Sequence, residues 1–249
     1  MDTAATESLQ NIQYLVNDCA YIKGNISSTE YNVVSDPSPE EAEVFLNQGW
    51  RRFGKMFFRP QCQGCRKCIP LRVKISDFKR SKNMRKIINK NAHIEVRHCR
   101  PQTTLYGLQL HNKYHRYQRS HRQWGNQDIG PLEYNILFAE PLSFAEEHRY
   151  YDGEKLVGIS YVDKLPNTLS AVYFFYDPEW SDLSPGTFSI LHELAYAESL
   201  GLEYYHLGYY VAGCPSMQYK KRFLPHEHLK GQGELWDWQD SQWVKDLDS

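Results

Sequence analysis

The chain has 249 residues, of which 41% are hydrophobic and 14% are aromatic, so it is long and apolar enough to fold around a buried core. No stretch approaches the ~18 consecutive apolar residues of a membrane helix. The N-terminal segment also lacks the basic start and the apolar run of a secretory signal. We therefore expect a globular protein of the cytoplasm that is not inserted into a membrane.

The net charge of −1 hides a very uneven distribution of charged residues. Residues 49–127, which we call the basic block, contain 20 lysines and arginines but only two acids, and carry +18, whereas the rest of the chain carries −19. So much charge of one sign repels itself unless an anion is present. The tryptophans, phenylalanines and tyrosines between the basic residues are suited to stacking on unpaired bases. The block favours nucleic acid over a protein docking surface or a solvated face, and the absence of groove-reading motifs disfavours DNA.

Local patterns predict the elements of the first half. They are a short helix over 9–16, a helix from Asp36-Pro-Ser-Pro39 to about Gln48, short extended segments over 50–73, a basic helix over 78–91, a strand over 93–98 and a helix over 103–124. Prolines and acids after a capping residue suit a first helical turn, and Gly49 suits a helix end. In the 103–124 helix we expect Leu110, Tyr114, Tyr117 and His121 to be buried.

In the second half, the patterns predict a different architecture. Strands near 134–139, 144–151, 155–165 and 169–176 are followed by a helix over 184–201, a strand over 203–207 and a short helix over 217–223. This is the element order of the Gcn5-related N-acetyltransferase fold. We therefore predict a mixed α+β protein with an antiparallel meander. A cysteine-containing N-terminal region over 1–95 precedes an acyltransferase-like catalytic region over 96–249.

The segment before the 184–201 helix bears on the acyl donor. Acetyltransferases of this fold hold the pyrophosphate of acetyl-CoA on the backbone amides of a glycine-rich turn. The corresponding stretch here, Asp182-Leu-Ser-Pro-Gly186, lacks that turn. A CoA donor, and with it a small-molecule acetyltransferase, is disfavoured. An aminoacyl-tRNA would supply both the acyl group and the polyanion that the basic block predicts.

Three closely spaced cysteines suggest a metal centre. Cys62, Cys65 and Cys68 recur at a spacing that lets the chain wrap one metal ion, and Cys19 is the natural fourth ligand. Ordinary buried or labile thiols are the alternative. We favour a structural zinc or iron–sulfur centre, and expect the chemistry itself to need no cofactor.

Nine segments, taken in chain order, are shared with a known family. They are Cys19-Ala-Tyr21-Ile-Lys-Gly24, Gly49-Trp-Arg51-Arg52-Phe-Gly54, Phe58-Arg59-Pro60, Cys62-Gln-Gly-Cys65-Arg-Lys-Cys68, FKRSKNMR at 78–85, Tyr114-His-Arg116-Tyr117, Tyr176-Asp-Pro178, Leu207-Gly-Tyr209-Tyr210 and Met217-Gln-Tyr219-Lys220-Lys-Arg222-Phe223. Together they resemble the arginyl-tRNA–protein transferase family, and within it the bacterial aspartate/glutamate leucyltransferase branch. Eukaryotic members carry two cysteines around the first Tyr and an adjacent cysteine pair in the second cluster. This chain has Cys19 alone in the first place and Cys62, Cys65 and Cys68 in the second, so the iron–sulfur chemistry of those members carries over only weakly.

The resemblance implies an enzyme that moves leucine from Leu-tRNA onto proteins with N-terminal Asp or Glu and so marks them for degradation through the N-degron pathway. Two alternatives stay open from the residues: arginine as the transferred residue, and a non-catalytic RNA-binding protein with a degenerate acyltransferase domain.

Candidate site residues follow from the chemistry of aminoacyl transfer. An attacking α-amine has a pKa of about 7.7–8.0, so positioning and oxyanion donors matter more than a strong base. The candidate catalytic residues are His206, Tyr209, Tyr210 and Tyr219, each of which is also explained by ordinary burial. For the substrate carboxylate the candidates are Arg51, Arg52, Lys220 and Arg222, with contact to tRNA phosphate as the alternative. Those for tRNA are Arg59, Arg66, Lys113, Arg116, Arg119 and Arg122.

Overall fold

The strands of the computed structural model form one small sheet and one large sheet. The structure describes residues 12–122, 127–232 and 237–245. The small sheet is antiparallel throughout, in the order β1-β2-β4-β3. Its strands are β1 (Gln13–Asp18), β2 (Ile26–Val33), β3 (Arg51–Phe53) and β4 (Met56–Pro60). The intervening helix α1 (Pro39–Asn47) begins with a capping box, in which Ser38 Oγ accepts from the Glu41 amide at 3.1 Å.

The large sheet has eight strands in the order β12-β11-β5-β10-β9-β8-β7-β6. They are β5 (Cys68–Lys74), β6 (Ile94–Cys99), β7 (Ala145–Asp152), β8 (Lys155–Lys164), β9 (Thr168–Tyr176), β10 (Tyr204–Val211), β11 (Glu227–Gln232) and β12 (Asp237–Lys245). Neighbouring strands are antiparallel except β9 and β10, which run parallel. The strands β7, β8 and β9 form three of the four strands of the predicted meander.

Helices cover both faces of the large sheet. They are α2 (Lys82–Lys90), α3 (Leu105–Arg122), α4 (Pro131–Tyr134), which continues as a π-helical segment over Asn135–Ala139, and α5 (Pro185–Ser199). Successive residues of β9 point to opposite sides: Phe175 packs in the cluster of α3, and Phe174 packs with Phe188 of α5. None of the helices within the described ranges has the length and apolar composition that a membrane span needs.

Strand β5 joins the N-terminal part of the chain to this core. It lies between β10 and β11, and its buried Leu71 and Val73 pack in one cluster with Leu191 and Leu194 of α5. The division that we predict after residue 95 stays a prediction. It does not coincide with a break between sheets, because β5 precedes that point, β6 spans it, and both strands belong to the large sheet.

Three local predictions were wrong. Residues 13–16 are strand rather than helix, because β1 pairs along its length with β2. Of the rest of that predicted helix, residue 12 is not helical, and 9–11 lie outside the described residues. The predicted strand over 134–139 is helical and packs Tyr134 and Phe138 under α3. On α3 itself His121 is exposed, and the buried polar residues are instead His111, His115 and Gln118.

The shared core predicts a single unfolding transition. Replacing Leu71 with Ala should lower the free energy of unfolding by about 2–5 kcal/mol, because it leaves a cavity beneath α5. The matched control, Leu132→Ala at a 74% exposed position, should change it by less than about 0.5 kcal/mol. Chemical denaturation followed by tryptophan fluorescence and circular dichroism tests this. Two separate transitions, with only one shifted by Leu71→Ala, would contradict a shared core.

Candidate active site

A cleft of about 580 Å³ lies where β9 and β10 separate. The two strands pair in parallel only from Tyr204 opposite Thr168 to His206 opposite Ser170. Beyond that point they diverge, and the cleft is lined by 170–174 of β9 and 207–209 of β10. Its other walls are β3, the N-terminal end of α5 and the 3₁₀ segment Pro215–Arg222. The cleft is thus built from both the N-terminal and the C-terminal parts of the chain.

Two adjacent buried arginines enter the cleft from β3 and differ in their partners. Arg52 forms a two-point ion pair with Asp163, in which its Nε donates to Oδ2 at 2.9 Å, and it also donates to the Gly54 carbonyl. Arg51 donates from Nη1 to Ser170 Oγ at 3.2 Å, but its Nε and Nη2 have no hydrogen-bond partner among the described residues. Burial lowers the pKa of Arg51 to about 10, so the guanidinium remains charged at neutral pH. Arg51 therefore presents two unused donors and a positive charge that no directly bonded carboxylate neutralises.

Lys220 lines the cleft where β10 forms a bulge. The pairing of β10 with β5 shifts register between His206 and Gly208, and Gly208 takes a φ of +81° that favours glycine. Lys220 Nζ donates a hydrogen bond to the Tyr209 carbonyl at 3.0 Å. It lies so close to Gly208 that a side chain there would crowd it, since an added Cβ would be 3.3 Å away. Burial, assisted by the nearby charge of Arg51, lowers the pKa of Lys220 to about 7. A substantial fraction of this amine is therefore neutral near pH 7 and able to accept a proton.

A buried carboxyl group and two tyrosines form the wall of the cleft beneath α5. Glu193 of α5 is buried and accepts a hydrogen bond from the Tyr205 hydroxyl, and burial raises the pKa of this carboxyl. Tyr219 lies close to the first turn of α5, since a Cβ at Gly186 would be 3.8 Å from its hydroxyl oxygen. Burial raises the pKa of Tyr219 to about 12, so its hydroxyl stays protonated and can donate.

The predicted catalytic and substrate-binding residues divide between the cleft and other places. Those that line it are Tyr209, Tyr219, Arg51, Arg52 and Lys220. The Tyr209 hydroxyl is already bound to the Gly49 carbonyl at 2.6 Å. His206 and Tyr210 lie outside the lining, with His206 buried beside Trp243, and Arg222 is exposed. The roles of all these residues stay predictions.

Among the lining residues that the sequence analysis did not single out are three whose polar side chains matter here, Asp163, Ser170 and Glu193. A signal was present for Glu193, because it lies three residues after the buried Ile190 and four before the buried Ala197, where an apolar residue is expected. Asp163 lies near the end of β8, directly after the buried Tyr161 and Val162. Nothing in the sequence distinguished Ser170.

Most residues predicted to bind tRNA form contacts within the protein. Arg59 pairs with Glu30 and lies over the Trp50 ring, and Arg66 donates to the carbonyls of Cys62 and Cys65. On α3, Lys113 pairs with Asp177 and Glu179, while Arg116 and Arg119 both pair with Asp128. Arg122 ends α3, and its side chain lies outside the described part of the structure. The basic block is thus partly neutralised by acids from elsewhere in the chain.

The four predicted metal ligands, Cys19, Cys62, Cys65 and Cys68, are neighbours in the folded protein, but their sulfur atoms do not converge on one point. Burial, followed by the neighbouring thiols of Cys62 and Cys19, raises the pKa of Cys68 to about 12. Over the described ranges, no three of the four sulfur atoms lie within 4.8 Å of one another, whereas tetrahedral zinc would hold sulfur atoms about 3.8 Å apart. These residues as placed do not fit a tetrahedral zinc or iron–sulfur centre, and its presence stays a prediction.

Comparisons with known proteins agree along the length of the chain. Residues 17–86 match the family description "Arginine-tRNA-protein transferase, N terminus", and residues 108–230 match "Arginine-tRNA-protein transferase, C terminus". The aspartate/glutamate leucyltransferase of Campylobacter jejuni subsp. jejuni serotype O:6 (strain 81116) is 36% identical over 90% of this chain and 94% of its own. That of Helicobacter hepaticus is 36% identical over 85% and 88%. Among solved structures, FemX aligns with 88% of this chain and 86% of its own, with a TM-score of 0.47 and 9% identity.

The unequal partners of the two arginines predict opposite effects of the same substitution. Arg52→Met should lower the free energy of unfolding by about 3 kcal/mol or more, because it leaves Asp163 buried without its partner. Arg51→Met should be neutral or stabilising, because it removes a buried charge and two unused donors. Urea denaturation of both variants at pH 7 measures the difference. Equal destabilisation would show that Arg51 is as firmly held by the protein as Arg52.

Proposed function

Because the chain belongs to the arginine-tRNA–protein transferase family, we propose that it transfers leucine from leucyl-tRNA to the α-amine of proteins that begin with Asp or Glu. The product carries an N-terminal leucine, which marks the protein for degradation. Since charged tRNA is a cytoplasmic substrate, we place the reaction in the cytoplasm. Support comes from the leucyltransferases that match along almost the whole chain and from the chemistry of the cleft.

Arg51 is the single observation that carries the acceptor assignment. A guanidinium matches a carboxylate by donating two parallel hydrogen bonds, and such a pair is strong when water is excluded. Arg51 has two unpartnered donors at a buried position in the cleft, whereas the guanidinium of Arg52 already forms a two-point ion pair with Asp163. We assign the side-chain carboxylate of the acceptor Asp or Glu to Arg51. Arg52 then holds β3 in place.

Transfer proceeds by attack of the acceptor α-amine on the leucyl ester. The amine nitrogen forms a bond to the ester carbonyl carbon, and the bond from that carbon to the ribose oxygen of the tRNA breaks. Neutral Lys220 accepts the proton that the amine loses and returns a proton to the departing ribose oxygen. The protonated hydroxyl of Tyr219 is the candidate donor to the oxyanion. Positioning by Arg51 supplies much of the remaining rate enhancement.

The leucine side chain has an apolar wall available in the same cleft. Leu46 and Phe57 line it together with Leu165, and these three residues pack in one buried cluster with Trp50. An aliphatic side chain gains burial there, whereas an arginine side chain would need a carboxylate partner. The two carboxyl groups of the lining are already engaged, Asp163 by Arg52 and Glu193 by the Tyr205 hydroxyl. This favours leucine over arginine as the transferred residue.

Helix α2 is the best surface for the tRNA. Its Lys82, Arg85, Lys86 and Lys90 are exposed and form no ion pair with a described residue. Its C-terminal end is fixed at the cleft, because Asn91 donates to the Leu183 carbonyl, next to Ser184 in the cleft lining. Phosphates along α2 would lead the acceptor end of the tRNA to the first turn of α5, where the helix dipole also favours an anion. The paired residues of α3 offer less free charge.

Mass spectrometry tests the proposed reaction. The purified protein is mixed with bulk charged tRNA and with three peptides that differ only in an N-terminal Asp, Glu or Ala. The expected result is the mass of one leucine residue on the Asp and Glu peptides and none on the Ala peptide. The mass of arginine would identify the other donor, and the absence of any addition would indicate a non-catalytic RNA-binding protein.

Lys220 predicts a particular pH dependence. Two groups must lose a proton before transfer, namely Lys220 with a pKa of about 7 and the substrate α-amine, so log kcat/KM should rise with a slope of about two below pH 7. In Lys220→Met the slope should fall to about one, and the rate at pH 8 should drop at least about 100-fold. Exposed Lys221→Met is the matched control. An unchanged slope in Lys220→Met would remove Lys220 as proton acceptor.

The proposed tRNA surface on α2 predicts that charge reversal on α2 weakens tRNA binding more than charge reversal on α3. Reversing the charge of Lys82 and Lys86 to Glu should weaken tRNA binding and reduce its dependence on log salt by about one unit per lost phosphate contact. Reversing Arg116 and Arg119, which pair with Asp128, should have a smaller effect. Filter binding between low and moderate salt measures both. A stronger effect of the α3 variant would restore α3 as the main tRNA contact.

A further inference from the structure

Three histidines of β6, β7 and α5 converge at the edge of the large sheet, outside the lining of the cleft. His98 of β6 and His148 of β7 are direct cross-strand partners, and their rings stack with centroids 4.1 Å apart. His192 of α5 packs over them, and its Nε2 lies 3.0 Å from Nε2 of His98. One ring nitrogen from each histidine lies within 4.8 Å of the other two. From this geometry we propose that His98, His148 and His192 bind a late first-row divalent metal ion such as Zn²⁺.

The donor atoms lie near the separations of a coordination site, at most 4.8 Å from one another. Zinc–nitrogen bonds of about 2.0–2.1 Å place the donor atoms of a tetrahedral site about 3.4 Å apart. The two Nε2 atoms of His98 and His192, at 3.0 Å, need only move slightly apart. Backbone pairing fixes the Cα positions of His98 and His148, so two of the three ligands are already held on one face. Imidazole is a ligand that suits zinc, nickel, copper and cobalt.

His148 gives an independent reason to expect a ligand. Its side chain is fully buried, and neither ring nitrogen has a hydrogen-bond partner among the described residues. Glu146 Oε2 lies 3.7 Å from Nε2, which is too long for a hydrogen bond. Leaving a buried polar group unpaired costs about 1–3 kcal/mol, and a metal ion in contact with one ring nitrogen would offset that cost.

The surroundings suit a cation. Glu146 supplies a carboxylate beside the cluster and is itself held by the Tyr196 hydroxyl at 2.8 Å and by Lys164 at 2.7 Å. His98 is exposed, so an ion can enter from solvent, and water can fill the fourth position.

The bound metal ion would stabilise the fold and would take no part in the transfer reaction. It would link the outer strands β6 and β7 to α5, whose adjacent residue Glu193 lines the cleft. The cysteine cluster at 62–68 is a competing place for zinc, so the experiment must separate imidazole from thiolate ligands.

Cobalt spectroscopy and zinc calorimetry on tag-free, reduced full-length protein provide that separation. The variants are His98→Asn at an exposed ligand and His192→Asn, with His93→Asn as an exposed histidine control and Cys65→Ser as the thiol control. We expect one Co²⁺ per chain whose visible bands lack thiolate charge transfer. Removing either ligand histidine should weaken Zn²⁺ binding by more than the about 10- to 100-fold that loss of a supporting contact costs. Both controls should bind as wild type does.

Two results would overturn the site. One is equal Zn²⁺ affinity in wild type, His98→Asn and His192→Asn; the other is binding that Cys65→Ser abolishes and the histidine variants retain. Circular dichroism of each variant confirms folding, and His98→Asn keeps the test valid if His192→Asn is unstable, because His98 is at the surface. Saturating Zn²⁺ should also raise the melting temperature of wild type and not that of His98→Asn.

Discussion

The buried ion pair between Arg52 and Asp163 holds the small sheet against the large one and so determines where Arg51 lies. Strand β3 is only three residues long, and its pairing with β4 alone would position it weakly. The two-point contact to Asp163 of β8, together with the bond from Arg52 to the Gly54 carbonyl, anchors it. Asp163 of β8 and Ser170 of β9 are direct cross-strand partners, so anchoring Arg52 on Asp163 brings the adjacent Arg51 to Ser170 and the gap between β9 and β10. A buried charge with unused donors is costly by itself, and the proposed anionic ligand would offset that cost.

Ion pairs also change what the uneven distribution of charge along the chain means in the folded protein. The +18 of residues 49–127 suggests a single uniform anion-binding surface, but folding brings acids from outside the block to Arg52, Arg72 and Lys113. Among the described basic residues of the block that form no ion pair, four lie on α2 and one is Arg51, while others, such as Lys67, Lys79 and Arg100, lie elsewhere on the surface. Part of the positive charge thus forms internal ion pairs, part is proposed to bind phosphates along α2, and Arg51 is proposed to bind a carboxylate.

Periodicity predicted the elements whose burial is regular, and it failed where tertiary contacts decide. The meander, α1 and α5 were predicted within a few residues, because capping residues and alternation are local signals. Residues 13–16 carry no such signal and are strand only because β2 is their partner. The cleft itself depends on the divergence of two parallel strands that are far apart in sequence, which no local pattern encodes. Glu193 could have been predicted as a site residue, because a carboxylate at a helical position where an apolar residue is expected stands out in the sequence. Ser170 could not, because it matters only through its contact with Arg51.

The central claim is that Arg51 recognises the acceptor carboxylate, and a double-mutant cycle between enzyme and substrate tests it most directly. The values of kcat/KM are compared for peptides that begin with Asp or Asn, each with wild type and with Arg51→Met. If the two groups form a buried ion pair, changing Asp to Asn should cost wild type at least about 100-fold and the variant less than about threefold. Equal losses in the two enzymes would show that the carboxylate is bound elsewhere.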